Sequence, residues 1–187
     1  MVLIQRNRRT VKIVGIDEVG RGALAGPMAA AAVLIDEKFK VPGVTDSKKL
    51  TRKTRESLFQ EIQSSAISIG IGWVSASELD EVGLTEANRL VMQRALDQIE
   101  GEYDRLLIDG NYQYIKDAET IVAGDTTEQS IAAASIIAKV LRDRYMIKVS
   151  EIYPGYYWQA NVGYGTKKHM LAISELGVNR LHRRLFI

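Results

Sequence analysis

Short apolar runs separated by turns characterise the first part of this chain. Residues 11–16 are rich in β-branched side chains, and residues 28–35 form the longest apolar run, so both segments are predicted to be strands. A sharp turn is predicted between them. Its turn-forming residues are Gly20, Gly22, Gly26 and Pro27. Three later apolar runs predict further strands at residues 67–74, 105–108 and 120–123.

Four segments carry apolar residues at helical spacing. These are residues 52–63, 84–99, 128–152 and 167–176. Thr51 and Thr166 can each cap the helix that follows, and Gly177 can end the last one. The pattern Ser75-x-x-Glu78 is a capping box, which marks one more helix start.

Strands that are first adjacent in sequence and later alternate with helices indicate an α/β fold. We expect a mixed sheet flanked by helices in a single domain over residues 1–187, without repeats or linkers. Ligands gather at the carboxyl ends of strands in such sheets. Asp17, Asp109 and Asp125 each follow a predicted strand, so the pattern places three carboxylates at this edge.

The composition excludes several classes of protein. Hydrophobic residues make up 46% of the chain and charged residues 26%, close to the average for globular proteins. The chain has no cysteine, which excludes disulfides, thiolate zinc sites and a cysteine nucleophile. No apolar run approaches the roughly 20 residues of a membrane span, and no apolar region follows the first arginines as in a secretory signal. We therefore expect a cytoplasmic protein without membrane contact.

The formal net charge of +2 conceals an uneven distribution along the chain. Residues 1–12 carry a net charge of +4, residues 13–138 of −8 and residues 139–187 of +6. An acidic middle between basic ends suits a site that binds cations and holds a polyanion nearby, as in a metal-dependent nuclease. Ordinary solvated surface charge is the alternative.

Each of the three carboxylates also has a purely structural interpretation. Asp125 can cap the helix that follows, Asp109 can form a turn with Gly110, and Asp17 can pair with Arg21. Converging carboxylates, however, raise each other's pKa unless a cation neutralises them. Hard oxygen ligands suit Mg²⁺ or Mn²⁺, and two such ions can activate a water and stabilise the leaving oxygen of a phosphodiester. The acidic group therefore predicts metal-dependent phosphodiester hydrolysis.

The glycine-rich segment at residues 20–26 allows a rival interpretation. With Asp36 downstream, it loosely resembles a nicotinamide-dinucleotide loop. Against this, Asp17 and Glu18 would place two negative charges beside a pyrophosphate, and Pro27 interrupts the segment where a helix should begin. Backbone donors freed of side chains can instead approach a sugar hydroxyl or a phosphate closely.

An ordered series of motifs resembles the single-subunit ribonuclease HII family over nearly the whole chain. The motifs are residues 15–27, Asp46-Ser-Lys-Lys-Leu50, Ile108-Asp-Gly-Asn111, Gly124-Asp125, residues 132–143, Tyr153-Pro154, Gly163-Tyr164, Thr166, His169 and His182-Arg-Arg184. A series in this order is far more specific than any one of its pieces. In one departure, Asn161-Val162 stands where the family usually has a basic residue before the Gly-Tyr pair.

The resemblance implies an RNase H-like fold, a five-stranded mixed sheet flanked by helices with a small helical C-terminal part. It implies an endoribonuclease that hydrolyses RNA paired to DNA and cuts 5′ to single ribonucleotides in duplex DNA, leaving 3′-hydroxyl and 5′-phosphate ends. Such cleavage serves ribonucleotide excision from DNA and removal of RNA primers. By position, the family's ligands for two Mg²⁺ or Mn²⁺ ions correspond to Asp17, Glu18, Asp109 and Asp125.

The resemblance also implies how nucleic acid is bound. The segment that contacts the ribonucleotide's 2′-hydroxyl corresponds to Gly20, Arg21 and Gly22. Tyr164 corresponds to the tyrosine that stacks against the sugar next to the cut. Lys48 and Lys49 are expected near phosphates, and Ser47 is expected to bind the substrate. Residues 166–187 are expected to form a basic substrate-binding segment. The sequence-independent grip on the backbone is expected to come from residues that include Lys139, Arg142, Lys167 and Arg183.

Two alternatives to this function stay open at this point, since fold and acidic residues do not fix a substrate. They are another nuclease on a similar fold and a non-catalytic hybrid-binding module. His169 is expected to be a plain surface histidine. The protein is expected to be a monomer, and the sequence leaves an interaction with a sliding clamp undecided.

Overall fold

The computed structural model describes residues 10–187, which form a five-stranded sheet in the order β3-β2-β1-β4-β5. The strands are β1 (Lys12–Val19), β2 (Met28–Asp36), β3 (Ser68–Val74), β4 (Arg105–Asp109) and β5 (Glu119–Ile121). β2 is antiparallel to both β1 and β3, whereas β4 is parallel to β1 and β5. The predicted mixed sheet is confirmed.

Seven α-helices and two short 3₁₀ turns occur in the described part of the chain. The helices are α1 (Arg52–Ser65), α2 (Ala76–Val82), α3 (Leu84–Leu96), α4 (Gly124–Thr127), α5 (Gln129–Ile152), α6 (Trp158–Asn161) and α7 (Lys167–Leu176), and the 3₁₀ turns are Ser47–Lys49 and Arg184–Phe186. Thr51, Ser75 and Thr166 each cap a helix as predicted, because their hydroxyls accept a backbone N–H of the first turn. Among residues 10–187, no helix has both the length and the apolar character that a membrane span requires.

The sheet is covered on both faces because β2 is apolar on both sides. Ala31 and Val33 face a core that contains side chains of α1 and α5, whereas Ala32 and Leu34 face a core built with α2 and α3. Residues 130–138 of α5 are all buried, a wider burial than the single apolar face that the sequence pattern predicts. α5 is therefore a central helix with contacts on several sides.

Two glycines let helices lie directly on the sheet. A Cβ atom on Gly15 of β1 would lie 2.2 Å from the carbonyl carbon of Ser130, at the start of α5. A Cβ on Gly72 of β3 would lie 1.9 Å from the carbonyl oxygen of Val91 in α3. Both contacts exclude any side chain, so these glycines fix the distance between the sheet and its covering helices.

The strand ends differ from the sequence prediction where the acidic residues lie. β1 continues to Val19, because Asp17 and Glu18 stay in the antiparallel ladder opposite Ala31 and Ala30 of β2. These carboxylates therefore belong to the strand itself rather than to the turn behind it. β5 ends at Ile121, and the short helix α4, which the sequence did not predict, carries Asp125.

Replacing Gly15 with alanine tests the close approach of α5. Because the added methyl would overlap backbone atoms of Ser130, we expect Gly15→Ala to lower the free energy of unfolding by about 3 kcal/mol, measured by urea denaturation. Gly22→Ala is the matched control, since nothing lies within 4 Å of that position, and its effect should stay within about 0.5 kcal/mol. Equal unfolding free energies of the two variants would contradict the packing described here.

Candidate metal centre and nucleic-acid cleft

Three carboxylates from separate segments meet at the edge of the sheet. β1 and β4 are parallel with Ile16 opposite Ile108, so the next residues, Asp17 and Asp109, lie at the same level on neighbouring strands. Asp125 reaches them from α4. One oxygen atom of each of these carboxylates lies within 4.8 Å of the others. The sequence alone reveals neither the pairing of β1 with β4 nor this distance, because Asp17 and Asp109 are far apart along the chain.

Glu18 lies beside this group but is not part of it. Successive residues of a strand point to opposite faces of a sheet, and Glu18 follows Asp17 directly. Both residues line the same cleft. Three of the four residues that the resemblance assigns to metal binding thus converge, and the fourth is adjacent.

The carboxylates destabilise one another's charged forms. Burial raises the pKa of Asp17 well above its ordinary value, and the charges of Glu18 and Asp109 raise it further. Burial also raises the pKa of Asp125, again with a contribution from Asp109. The pKa of Glu18 is raised by burial as well, against the opposing effect of Arg21. Clustered carboxylates that supply hard oxygen donors, with raised pKa values at Asp17, Glu18 and Asp125, fit a divalent cation such as Mg²⁺ or Mn²⁺.

For Asp125 and Asp109, the purely structural roles that the sequence allows, a helix cap and a turn, do not account for what is observed. Asp125 is not the cap of α5, because Glu128 occupies the N-cap position without a side-chain cap bond. Asp109 does more than form a turn, since its Oδ1 accepts the Gly124 N–H at 2.8 Å and so anchors α4 to β4. Lys48 pairs with this group of carboxylates, since its Nζ lies 3.5 Å from Oδ2 of Asp125.

A cleft of about 390 Å³ extends from the carboxylates. It is lined by Asp17, Glu18, Val19, Ser47, Lys48, Arg55, Ser135, Lys139 and Tyr164. Ser47 is buried and shares a hydrogen bond of 2.9 Å with the hydroxyl of Ser135. Lys139 donates a hydrogen bond to Asp143 at 2.8 Å, so its ammonium group is already paired within the protein.

The glycine loop, residues 20–27, follows directly on β1, whose last residues Asp17, Glu18 and Val19 line the cleft. Gly20 has a φ of 86°, a left-handed conformation that favours glycine, and Arg21 and Gly22 are exposed. The N–H groups of these three residues have no hydrogen-bond partner among residues 10–187. Free backbone donors are what contact with a hydroxyl or phosphate requires. Gly20 itself is buried, unlike Arg21 and Gly22.

Tyr164 is half-buried and lines the cleft. Its ring lies between two cations, with Lys139 Nζ at 5.7 Å and the Arg142 guanidinium carbon at 5.4 Å from the centroid. Its carbonyl oxygen lies 3.0 Å from Nδ1 of His169. These contacts fix the backbone of Tyr164 and leave the ring in the cleft.

Three sequence predictions in the C-terminal half need correction. Arg142 and Arg183, predicted to grip phosphates, have no exposed surface, and their guanidinium groups donate to backbone carbonyls inside the protein. They cannot reach a phosphate on the surface in this arrangement. His169 is also fully buried rather than on the surface, because the Trp158 indole donates to its Nε2 at 2.9 Å. Lys167, by contrast, is exposed at the start of α7.

Two residues of the cleft were missed by the sequence reasoning. Ser135 bonds to Ser47 and also to Asp17, where it lowers the pKa that burial raises. A serine within the apolar run of α5 was the available signal for it. Arg55 donates to the carbonyl oxygens of Ser47 and Leu50 at 3.0 and 2.6 Å, and nothing in the α1 pattern distinguishes it from a surface arginine.

The chain is similar to one protein family over almost all of the described residues. The sequence model of the family described as ribonuclease HII matches residues 14–187. The ribonuclease HII of Listeria monocytogenes serotype 4a (strain HCC23) is 47% identical over 175 residues, which cover 93% of this chain and 67% of the relative.

Solved structures show the same similarity. The crystal structure of ribonuclease H2 from Pyrococcus horikoshii OT3 aligns with a TM-score of 0.78 and 27% identity, covering 94% of this chain and 93% of that one. Bst-RNase HIII in complex with Mn²⁺ aligns with a TM-score of 0.60 and 22% identity over 76% of this chain and 55% of that one, a similarity of fold alone.

Removing one charge from the acidic group should stabilise the protein when a chelator is present. Because burial and like charges oppose ionisation of Asp17, we expect Asp17→Asn to raise the melting temperature at neutral pH by about 2–4 °C, on the order of 1 kcal/mol. Added Mg²⁺ should raise the melting temperature of the wild type and not that of the variant. Calorimetry in chelator and in Mg²⁺ measures both effects.

The pH dependence of this effect has a defined sign. The native pKa of Asp17 lies above the ordinary value of 3.8, so the native state binds the proton more tightly and the wild type loses stability as pH rises through the native pKa. The advantage of the asparagine variant should therefore grow toward neutral pH. Asp117→Asn is the control of equal charge, on an exposed residue with a φ of 62° that asparagine tolerates. A variant no more stable than this control would contradict the repulsion.

Proposed function

The chain belongs to the ribonuclease HII family, and on that premise we propose that it cuts duplex DNA 5′ to an embedded ribonucleotide as well as RNA paired to DNA. As a member of the family it is a ribonuclease H, a divalent-metal-dependent hydrolase that acts on RNA/DNA hybrids. One observation carries the finer proposal. The cleft is lined by Asp17, Glu18 and the Tyr164 ring, and the free backbone donors of residues 20–22 follow directly on the strand that carries these two carboxylates.

The proposed catalytic groups are the three clustered carboxylates and the adjacent Glu18; of these, Asp17 and Glu18 line the cleft. Asp17, Asp109 and Asp125 would hold the divalent ions, and Glu18 would complete the set from the adjacent position. When bound, two such ions activate a water and neutralise charge on the leaving oxygen of a phosphodiester. Cleavage between the phosphorus and the 3′-oxygen leaves 3′-hydroxyl and 5′-phosphate ends. Donor chemistry favours Mg²⁺ and Mn²⁺ equally.

The glycine loop supplies the proposed recognition of the ribonucleotide. The 2′-hydroxyl is the group that distinguishes RNA from DNA at one nucleotide. The free N–H groups of Gly20, Arg21 and Gly22 can donate to it, and no side chain on the glycines blocks a sugar from approaching. Backbone donors read the hydroxyl irrespective of base, as removal of any misplaced ribonucleotide requires.

Tyr164 and the cationic side chains supply the remaining contacts. The Tyr164 ring would stack on the sugar next to the cut, and Lys48, with a side chain 74% exposed beside Asp125, would contact the phosphate. Lys139 and Lys167 would contact the duplex backbone without regard to sequence. The proposed grip no longer includes the buried arginines.

The first test compares three substrates: a DNA duplex with one ribonucleotide, the same duplex in all-DNA form, and an RNA/DNA hybrid. We expect cleavage 5′ to the ribonucleotide and of the hybrid with Mg²⁺ or Mn²⁺, none with chelator, and none of the all-DNA duplex. Asp109→Asn should lower kcat by at least about 1,000-fold because it removes a charge that holds the cations. Asp117→Asn should keep the wild-type rate, since that residue is exposed outside the cleft.

The outcomes of this experiment separate the candidate functions. Cleavage of the all-DNA duplex would favour a different nuclease on the same fold. Cleavage of the hybrid but not at the single ribonucleotide would sink the finer proposal and leave the ribonuclease H activity intact. Wild-type rates in Asp109→Asn would remove the acidic group from the mechanism.

Tyr164→Ala should reduce cleavage at a single ribonucleotide by about 10- to 100-fold, the worth of one base- or sugar-stacking contact. The loss on an all-RNA hybrid strand should be smaller, because neighbouring ribonucleotides offer alternative positions for cleavage. Steady-state rates on the two substrates measure the difference. Tyr103→Ala is the control, on an exposed tyrosine before β4, at the opposite end of that strand from Asp109. Equal losses on both substrates would contradict the role of the ring.

A further inference from the structure

Arg142 and Arg183 are fully buried, and their guanidinium groups donate hydrogen bonds to backbone carbonyl oxygens. Arg142, on α5, donates from Nε to Pro27 O at 2.8 Å and from Nη2 to Ala25 O at 3.1 Å. Its remaining nitrogen, Nη1, donates to Val162 O at 2.9 Å. One guanidinium group thus bonds two segments that are distant in sequence, the glycine loop and the segment that carries Tyr164.

Arg183 bonds to the same loop from the C-terminal side. Its Nη1 donates to Gly20 O at 2.6 Å and to Arg21 O at 3.0 Å, and its Nε donates to Gly26 O at 2.9 Å. Its Nη2 is buried without a hydrogen-bond partner among the described residues. Burial, and next the charge of Arg142, lower the pKa of Arg183 to about 9. These two cations are therefore retained despite a considerable desolvation cost.

Direct backbone contacts complete the connection between the two segments. Gly163 O accepts the N–H groups of Leu24 and Ala25 at 2.9 and 3.2 Å. A Cβ on Gly163 would lie 2.3 Å from Ala25 O, and a Cβ on Gly20 would lie 2.2 Å from Nε of Arg142. No side chain fits at either position, so the glycines let the loops lie against the guanidinium groups and against each other.

We propose that Arg142 and Arg183 are positioning residues that hold residues 20–27 and residues 162–164 as one unit, and that this unit sets enzyme selectivity for a single ribonucleotide. The inference rests on the proposed function. A sugar contacted by the Gly20–Gly22 N–H groups is correctly placed for stacking only if Tyr164 stands at a fixed distance from them. Because Arg142 bonds to both segments, it determines that distance. The carbonyls of Gly20 and Arg21 turn inward to Arg183, which leaves the loop's N–H groups free for the ligand.

Lysine substitutions test the arrangement while preserving charge. A lysine ammonium lacks the planar fork that bonds three carbonyls in fixed directions. We expect Arg142→Lys and Arg183→Lys each to lower the ratio of single-ribonucleotide cleavage to hybrid cleavage by at least tenfold, mainly through kcat. Arg144→Lys is the matched control on α5, since Arg144 pairs with Glu56 at the surface, and it should keep the wild-type ratio.

A double-mutant cycle distinguishes positioning from general stability. If Arg142 acts through Tyr164, Arg142→Lys should cost less than twofold further selectivity once Tyr164→Ala is present. The effects of Arg142→Lys and Lys48→Ala on selectivity should multiply, because Lys48 is not bonded to either loop. Equal losses on both substrates, or full additivity with Tyr164→Ala, would overturn the proposal.

Amide hydrogen exchange gives a readout that does not depend on cleavage. In the free enzyme, Arg142→Lys should speed exchange in both residues 20–27 and residues 162–166, whereas Arg144→Lys should change neither. Gly163→Ala provides a second variant that separates the loops without touching an arginine, and it should loosen the same two segments. Faster exchange in only one segment would overturn the coupling. Absence of single-ribonucleotide cleavage by the wild type would refute the proposed function alone, and the exchange result would still decide the coupling.

Discussion

The parallel pairing of β1 with β4 is the contact on which the acidic site depends. The register that sets Ile16 against Ile108 brings Asp17 level with Asp109, and the bond from Gly124 N–H to Asp109 then holds the helix that carries Asp125. A shift of one residue would turn the Asp17 side chain to the other face of the sheet. The apolar packing of β1 between β2 and β4 is therefore what holds the carboxylates together against their repulsion.

This repulsion shows how stability and function oppose each other in the fold. Charged groups of one sign are brought out of water at the sheet edge, and their raised pKa values record the cost. Positive charge is buried as well, since Arg142 and Arg183 have no exposed surface and donate to backbone carbonyls. The protein thus carries the desolvation cost of buried charge of both signs. The large alanine- and isoleucine-rich core provides the stability that this requires.

Much of the fold could be predicted from the sequence because its signals are local. The main helices could be predicted from the spacing of apolar residues and from helix caps such as Thr51 and Thr166. The acidic residues could be identified because they follow predicted strands. The roles of Arg142 and Arg183 could not be predicted in this way, because arginine is rarely buried and the pattern around them contains no sign of burial. The buried position of His169 depends on its hydrogen bond with Trp158. The spacing of apolar residues along the sequence does not predict such a contact between two segments. Tertiary packing alone decides such cases.

The bonds from Arg183 to Gly20 and Arg21 join residues 163 and 162 positions apart. Contacts of such separation cost much loop-closure entropy and therefore slow folding. On the ribosome, residue 183 emerges long after the strands that carry Asp17 and Asp109. A nascent chain can therefore assemble much of its acidic centre before its glycine loop is fixed. The order of synthesis therefore allows the loop proposed to recognise the substrate to be completed after the acidic centre.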